Sequence, residues 1–411
     1  MIILLLMKQL SRSSGGLSSA LDLAETMFAL KHDVHVCISS PTPTGRKHQH
    51  TTLPAKIVCE IPSSYRTLGS IEDQSFIDIL RDKKASARAR IWRCLRFLRR
   101  RNVEQNFKRL LNKADLIFDF ENFTADAIQK IRKSSNAKLV RNHAGAPETF
   151  EEYWVKDEHL NTPESSPTAR YIEYCKRYDL LLFQAVDQAS DCIKRDSALR
   201  SNCYILSPSC SETDVLAAKQ LPNPYRSEKK ILVSVGSLQP RKAQHTTLEI
   251  FKELHKKHPE AELHFLGGRE KSEYGLSLKK SISQMGLEKT VFFHGFQRDY
   301  LRWMAHAHIL IQTSLSEGVS RVLRESMLMH LPIVSFSISG TGSVLRANED
   351  ALLLEPGDIA GMTSAISYLL NDSKAAQTIS NSAYNRYLLN HSWAKYAYSV
   401  NQMIADFSKR G

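Results

Sequence analysis

Residues 316–327, SEGVSRVLRESM, hold two carboxylates eight positions apart: Glu317 in a turn of small residues and Glu325 in a segment that reads as helix. Eight helical residues rise roughly 12 Å. Acids that far apart do not share a proton or flank a single bond as neighbours. They suit the two ends of one extended ligand. Upstream, SLQPRKAQH sets Arg241 and Lys242 just after an apolar run and just before an amphipathic one. Two fixed cations beside the free N–H groups of a helix start suit a diphosphate. A carboxylate accepts two hydrogen bonds and so suits a vicinal diol. A ligand with a sugar at one end, a diphosphate in the middle and a nucleoside at the other would span the set. The competing reading is a helix-cap acid, a surface acid and a pair of surface basics.

The elements that must position these groups follow an alternation of strand and helix. MIILLLM reads as a buried strand, SRSSGGLSSA as a glycine-containing turn, residues 17–31 as a helix and DVHVCIS as the next strand. Residues 114–120, 137–143, 178–185 and 202–209 are further candidate strands. LPNPYRSEKK is proline-rich and charged and reads as a linker. The pattern then restarts with strands over 231–238, 261–268, 290–296, 308–314 and 331–337 and helices over 245–259 and 299–307. Two such blocks predict an α/β chain of two doubly wound domains with parallel sheets. Ligands in such sheets bind at the carboxyl ends of strands, where Gly15–Gly16, Gly236–Ser237, Gly267–Gly268, Gly295 and Ser316–Gly318 cluster.

With 411 residues, 42% apolar and 24% charged, the chain is too long for one ordinary core. The run from Ile2 to Met7 is too short to span a bilayer or to act as a secretory signal, and fits a first strand. Seven scattered cysteines without a CxxC pair indicate neither a disulfide framework nor a zinc knuckle, and make a reducing cytoplasm the default. The sequence has no D-x-D, HExxH or G-x-G-x-x-G, so neither a metal nor a nicotinamide cofactor is expected. The net charge is +13, and twelve Lys or Arg stand against two acids in 81–109. Ile91, Cys94, Leu95 and Leu98 lie on one face of a helix through that stretch, with Arg96, Arg99, Arg100 and Arg101 on the other. Such a helix either packs on its own domain with a wet basic face or meets an anionic membrane surface. Nucleic acid is not expected, since Trp92, Phe97 and Phe107 interleave the basics without a recognised binding motif.

SEGVSRVLRESMLMHLPIVSFSISG, with VGSLQPRKAQ upstream, resembles the C-terminal half of retaining GT-B glycosyltransferases of family 4, whose E-x7-E signature Glu317 and Glu325 match. SSGGLSSALDLAETMFALKHDVHV is similar to the family's first turn and helix, LVRNHAGAP to its active-site histidine segment, and HSWAKYAYSVNQMI to its closing helix. The resemblance is weak between about 45 and 135. It implies a GT-B fold, two Rossmann-like domains facing a cleft: 1–220 on the acceptor side with the basic helix 85–111, 221–385 for the donor, and 386–411 returning to the first. It implies that Glu317 contacts the donor sugar with the backbone at Gly318, Val319 and Ser320. Glu325 would hold the ribose, Arg241 and Lys242 the diphosphate, and His143 would stand near the sugar. Gly16 and Gly236 would bring backbone to the phosphates. The family often has Arg at Ser237 and Gly at Ala243, so Arg241 and Lys242 carry more of the load here. The implied activity is retaining transfer of a hexosyl or N-acetylhexosaminyl group from a nucleotide-diphosphate sugar to a glycan or lipid-linked acceptor in cell-surface polysaccharide synthesis. The implied location is cytoplasmic, peripheral on the inner membrane face. A sugar-nucleotide epimerase or phosphorylase on the same fold is the alternative, and a basic nucleic-acid-binding protein a weaker one.

Overall fold

A computed structural model of the chain describes residues 1–7, 15–38, 58–60, 104–120, 125–143, 172–225 and 228–409. Among the described residues, β1 (Ile2–Met7), β2 (Asp33–Ile38), β3 (Val58–Glu60), β4 (Leu116–Asp119), β5 (Lys138–His143), β6 (Leu180–Phe183) and β7 (Cys203–Ile205) form one sheet in the order β3-β2-β1-β4-β5-β6-β7. Its pairs are parallel. Helices α1 (Gly15–Ala29), α2 (104–113), α3 (Ala125–Ser134) and α4 (Val186–Arg195) connect them. Burial on both faces explains why the strands are apolar runs rather than alternating ones: β4 and β6 are buried throughout.

After α5 (Glu212–Lys219) the pattern begins again. The strands β8 (Lys230–Val235), β9 (Ala261–Leu266), β10 (Val291–Phe293), β11 (Ile309–Gln312), β12 (Ile333–Phe336) and β13 (Leu352–Leu354) form a second parallel sheet, ordered β10-β9-β8-β11-β12-β13. Between them run α6 (Gln244–His255), α7 (Glu273–Met285), α8 (Tyr300–Ala305), α9 (Arg321–Met329) and α10 (Ser339–Gly342). Then come α11 (Ile359–Asn371), α12 (Ser373–Asn390) and α13 (Trp393–Lys409). Local chemistry marks the helix ends. The Ser272 hydroxyl caps the start of α7 and Gly286, at φ +69°, ends it. α9 stops at His330, also left-handed, shortly before Pro332.

Each sheet is packed on both faces, and α13 reaches across: Tyr396, Val400, Met403, Ile404 and Phe407 join the core that covers β1, β2 and α1. Of the basic helix expected over 85–111, residues 85–103 lie outside those described. The remainder is helical, and α2 buries Phe107 and Leu111 against the first sheet. The strand Val58–Glu60 is not among the strands expected from the sequence and falls in the stretch where the resemblance is weak.

Candidate active site

The order of the second sheet reverses between β8 and β11, its central pair. Loops leaving the carboxyl ends of two such strands diverge to opposite faces and open a crevice between them. The loop after β8 carries Gly236, Arg241 and Lys242, and the loop after β11 carries Glu317, so the topology brings together residues 75 positions apart.

Gly236 leaves β8 at φ +149°, a conformation side chains rarely adopt, and a Cβ there would lie 3.6 Å from Lys242 Cε. Arg241 and Lys242 occupy a 3-10 turn opened by Pro240. The turn ends at Ala243, which is left-handed at φ +47° and starts α6. Ala243 therefore adopts the conformation that a glycine takes without strain. The Thr313 hydroxyl holds that turn, donating to the carbonyls of Ala243 at 2.9 Å and Lys242 at 3.2 Å. Leu315 N–H donates to the Arg241 carbonyl at 2.9 Å, which completes the stitching of the two loops.

The charges converge on Glu317. Its Oε1 accepts from the Lys242 ammonium and from Ser314 Oγ at 2.7 Å, and its Oε2 lies 3.6 Å from Arg241 Nη1. The Glu317 side chain is 9% exposed, that of Lys242 17% and that of Arg241 44%, so a carboxylate is flanked by cations that open to solvent. Arg241 also donates to the Ser316 carbonyl at 3.2 Å. Behind this loop, Gly340 in α10 sits so close that a Cβ on it would come within 2.1 Å of the Gly318 carbonyl oxygen. Ser320 caps α9 through its backbone only, its hydroxyl being donated to Gln312 at 3.0 Å, so the Ser320 side chain leaves the N–H groups at the start of α9 alone.

Glu325 does not stand at the surface. One helical turn below Arg321, it is fully buried, with Oε1 at 2.6 Å from the Tyr300 hydroxyl and 2.8 Å from Arg321 Nε. Burial pushes its carboxyl above the ordinary range, and Arg321 and Tyr300 pull it back. Burial also drives the Tyr300 phenol well above its usual value, so it remains a neutral donor. Arg324, 1% exposed, lies in the same interior.

In the first half, the Gly15–Gly16 pair forms the first turn of α1 instead of the loop before it. His143 is the last residue of β5, paired in register with Phe183 at the end of β6. Just past β6, Asp187 at the start of α4 accepts a hydrogen bond from Ser339 Oγ at the start of α10. This contact joins the carboxyl edge of the first sheet to that of the second. Of the residues singled out in the sequence, the structure thus gathers Gly236, Arg241, Lys242, Glu317, Gly318, Val319 and Ser320 into one place, with Glu325 beneath. Tyr300, Arg321, Ser314 and Asp187 belong to the same region and were not singled out. Only Arg321 left a signal, its four-residue spacing from Glu325. Among the described residues no cluster of His, Cys, Asp or Glu has the makings of a metal site, and no helix is long and apolar enough to cross a membrane.

Residues 219–386 match the family described as glycosyl transferases group 1. The lipopolysaccharide core biosynthesis glycosyltransferase LpsE of Rhizobium meliloti is 28% identical over 143 residues, 35% of this chain and 40% of LpsE. An uncharacterized glycosyltransferase of Haemophilus influenzae is 30% identical over 146 residues, 35% of this chain and 40% of that protein. Each aligned stretch spans less than half the length of the relative. Over the whole chain, the structure is similar to that of Anabaena HepE in complex with UDP-glucose, with a TM-score of 0.68 and 16% identity, covering 99% of this chain and 100% of HepE. That likeness is one of fold, two Rossmann-like domains in the GT-B arrangement. The chain has the fold of two Rossmann-like domains in the GT-B arrangement, and residues 219–386 of its second half match the glycosyl transferases group 1 family.

Proposed function

We propose that the protein transfers a sugar from a nucleoside-diphosphate donor, with retention at the anomeric carbon, to a glycan or lipid-linked acceptor. One observation carries this reading: Arg241, Lys242 and Glu317 meet at the switch point of the second sheet, beside the start of α9. The cations face the diphosphate, and Glu317 with the backbone at Gly318, Val319 and Ser320 faces the sugar. Lys242 pairs with Glu317. A bound donor brings its own negative charge to Lys242 and its hydroxyls to Glu317, replacing one partner with two.

Breaking the bond between the anomeric carbon and the phosphate oxygen leaves negative charge on the departing diphosphate. Arg241, Lys242 and the α9 N-terminus stabilise that charge. The acceptor hydroxyl approaches from the leaving-group side, and the departing phosphate takes its proton. His143, at the strand end of the first sheet, stands on the acceptor side near the sugar, and Gly16 and Gly236 admit the phosphates to the backbone. The similarity to LpsE, a lipopolysaccharide core biosynthesis glycosyltransferase, and the fold shared with HepE, whose structure holds UDP-glucose, support a UDP-sugar donor and a cell-surface polysaccharide product. Residues 81–109 are the part of the chain suited to an anionic membrane surface, and the proposed site of action is the cytoplasmic face of that membrane.

A thermal-shift screen of nucleotide sugars tests this. Ligand at a hundred times its dissociation constant stabilises by about 2.7 kcal/mol. Lys242→Ala is expected to abolish the shift of the best donor while leaving the empty protein folded. A shift unchanged in Lys242→Ala sinks the site assignment. Turnover of the donor without any acceptor, or with phosphate as acceptor, would favour an epimerase or a phosphorylase instead.

A further inference from the structure

The way Glu325 is held limits what it can recognise. Tyr300 and Arg321 both meet the same oxygen of its carboxylate. Oε1 accepts from the Tyr300 phenol at 2.6 Å, from α8, and lies in an ion pair 2.8 Å from Arg321 Nε, on its own helix. Oε2 is buried and has no hydrogen-bond partner among the described residues. A buried acceptor left without a donor is unfavourable, and an ionised carboxylate oxygen accepts only. The missing partner is therefore a donor such as a hydroxyl. The Arg321 side chain, 17% exposed against 1% for Glu325, is the more open of the two. Tyr300 is itself anchored. On the same helix, Trp303 packs its ring 4.1 Å from that of His294, and its carbonyl accepts from the Tyr225 hydroxyl at 2.8 Å.

We propose that Tyr300 is a positioning residue for nucleoside recognition: by occupying Glu325 Oε1 it leaves Oε2 as the single acceptor for one ribose hydroxyl. The proposal rests on the nucleoside-diphosphate reading above. It adds that discrimination between ribose and deoxyribose passes through one oxygen, whose direction is set from a neighbouring helix. Without the phenol, the carboxylate loses the donor that orients it, and Oε2 no longer points at a fixed place. A site built around a hydroxyl rejects the analogue lacking it far more strongly than one that merely tolerates it.

The test measures dissociation constants of UDP, ADP and GDP beside their 2′-deoxy and 3′-deoxy forms, on the full chain and on Tyr300→Phe and Glu325→Gln. The native protein is expected to prefer the ribonucleotide over one of the deoxy forms by about tenfold or more. Tyr300→Phe is expected to bring that ratio close to unity with little change for the deoxy form, and Glu325→Gln to erase it as well. The ratio is taken within one protein, so a smaller folded fraction in a variant cancels. If Tyr300→Phe keeps the native ratio, if both forms weaken equally, or if Glu325→Gln still discriminates, the proposal is overturned. Native protein that binds nucleoside diphosphates without preferring ribose overturns it alone. Native protein that binds none of them overturns the parent reading first.

Discussion

Ala243 shows how one side chain can carry strain for the sake of its neighbours. Its left-handed backbone lets Lys242 close a tight turn and α6 begin at once, with Thr313 holding the carbonyls on either side of the bend. A Cβ in that conformation is unfavourable, whereas glycine is at ease there but has more freedom to lose on folding. Ala243→Gly should therefore stabilise by roughly 0.5–1 kcal/mol, measurable by chemical denaturation. Gly340 presents the opposite case. Its missing side chain is what allows α10 to lie against the backbone of Glu317 and Gly318. Gly340→Ala must push that loop away, at a cost of about 1–3 kcal/mol, and should weaken donor binding more than an equal loss of stability elsewhere would. Comparing it with a destabilised variant on α12, distant in sequence from the loop, separates the two effects. The pairing of Glu317 with Arg241 and Lys242 was foreshadowed by residue type and by place after strands. That Lys242 touches Glu317 directly was not, since only the packing of the two loops sets their separation.

At the scale of elements, β9 and the residue after β10 bring together an imidazole pair, His264 buried and His294 half-buried. His264 Nδ1 and His294 Nε2 are 2.8 Å apart, and the rings stack at 5.1 Å. Burial, aided by the neighbouring His294, pushes His264 down to about 3. A folded-state value below the unfolded one means that the unfolded chain takes up a proton which the folded chain refuses. The stability from this group is thus complete above the ordinary value of 6.5 and is lost as pH falls toward about 3. The loss approaches about 1.4 kcal/mol per pH unit within that window. His264→Phe, which keeps an aromatic ring beside Phe292, should flatten the dependence of stability on pH between 6 and 4 in denaturant titrations. An unchanged slope would show that His264 is not the group responsible. In the sequence HFLGG is an apolar strand tail with one histidine, and nothing in the pattern tells a buried imidazole from a half-exposed one. The strands themselves were legible because their apolar runs are longer than a one-sided sheet would need.

Across the whole molecule, among the described residues, both apolar packing and polar contacts relate the halves, the Asp22 carboxylate of α1 also acting on Arg321 of α9. α13 contributes its apolar face to the core of the first sheet, and Glu212 Oε1 ties its start by accepting from Trp393 N–H at 2.7 Å and from the Tyr387 hydroxyl at 3.1 Å. Opposite this seam, Asp187 and Ser339 meet through one hydrogen bond between small polar groups. A single polar contact resists opening far less than a packed apolar helix does. Asp187→Ala should therefore loosen the approach of the two sheet edges without unfolding either domain. A larger radius of gyration by small-angle scattering, returning to the native value with bound donor, is the expected outcome; no change in size would mean that the contact does not set the closure.

By itself the sequence determined the repeated strand–helix alternation, the place of the charged loops after strands, and the E-x7-E spacing, because these depend on residue type and short-range periodicity. Its glycines marked where backbone would come close, though not to what. Only the tertiary structure decided that Glu317 lies between two cations, that Glu325 is buried beside Arg321 and Tyr300, and that Asp187 faces Ser339. Those relations join positions far apart in the chain, and their distances follow from how helices pack on sheets, which no local pattern records.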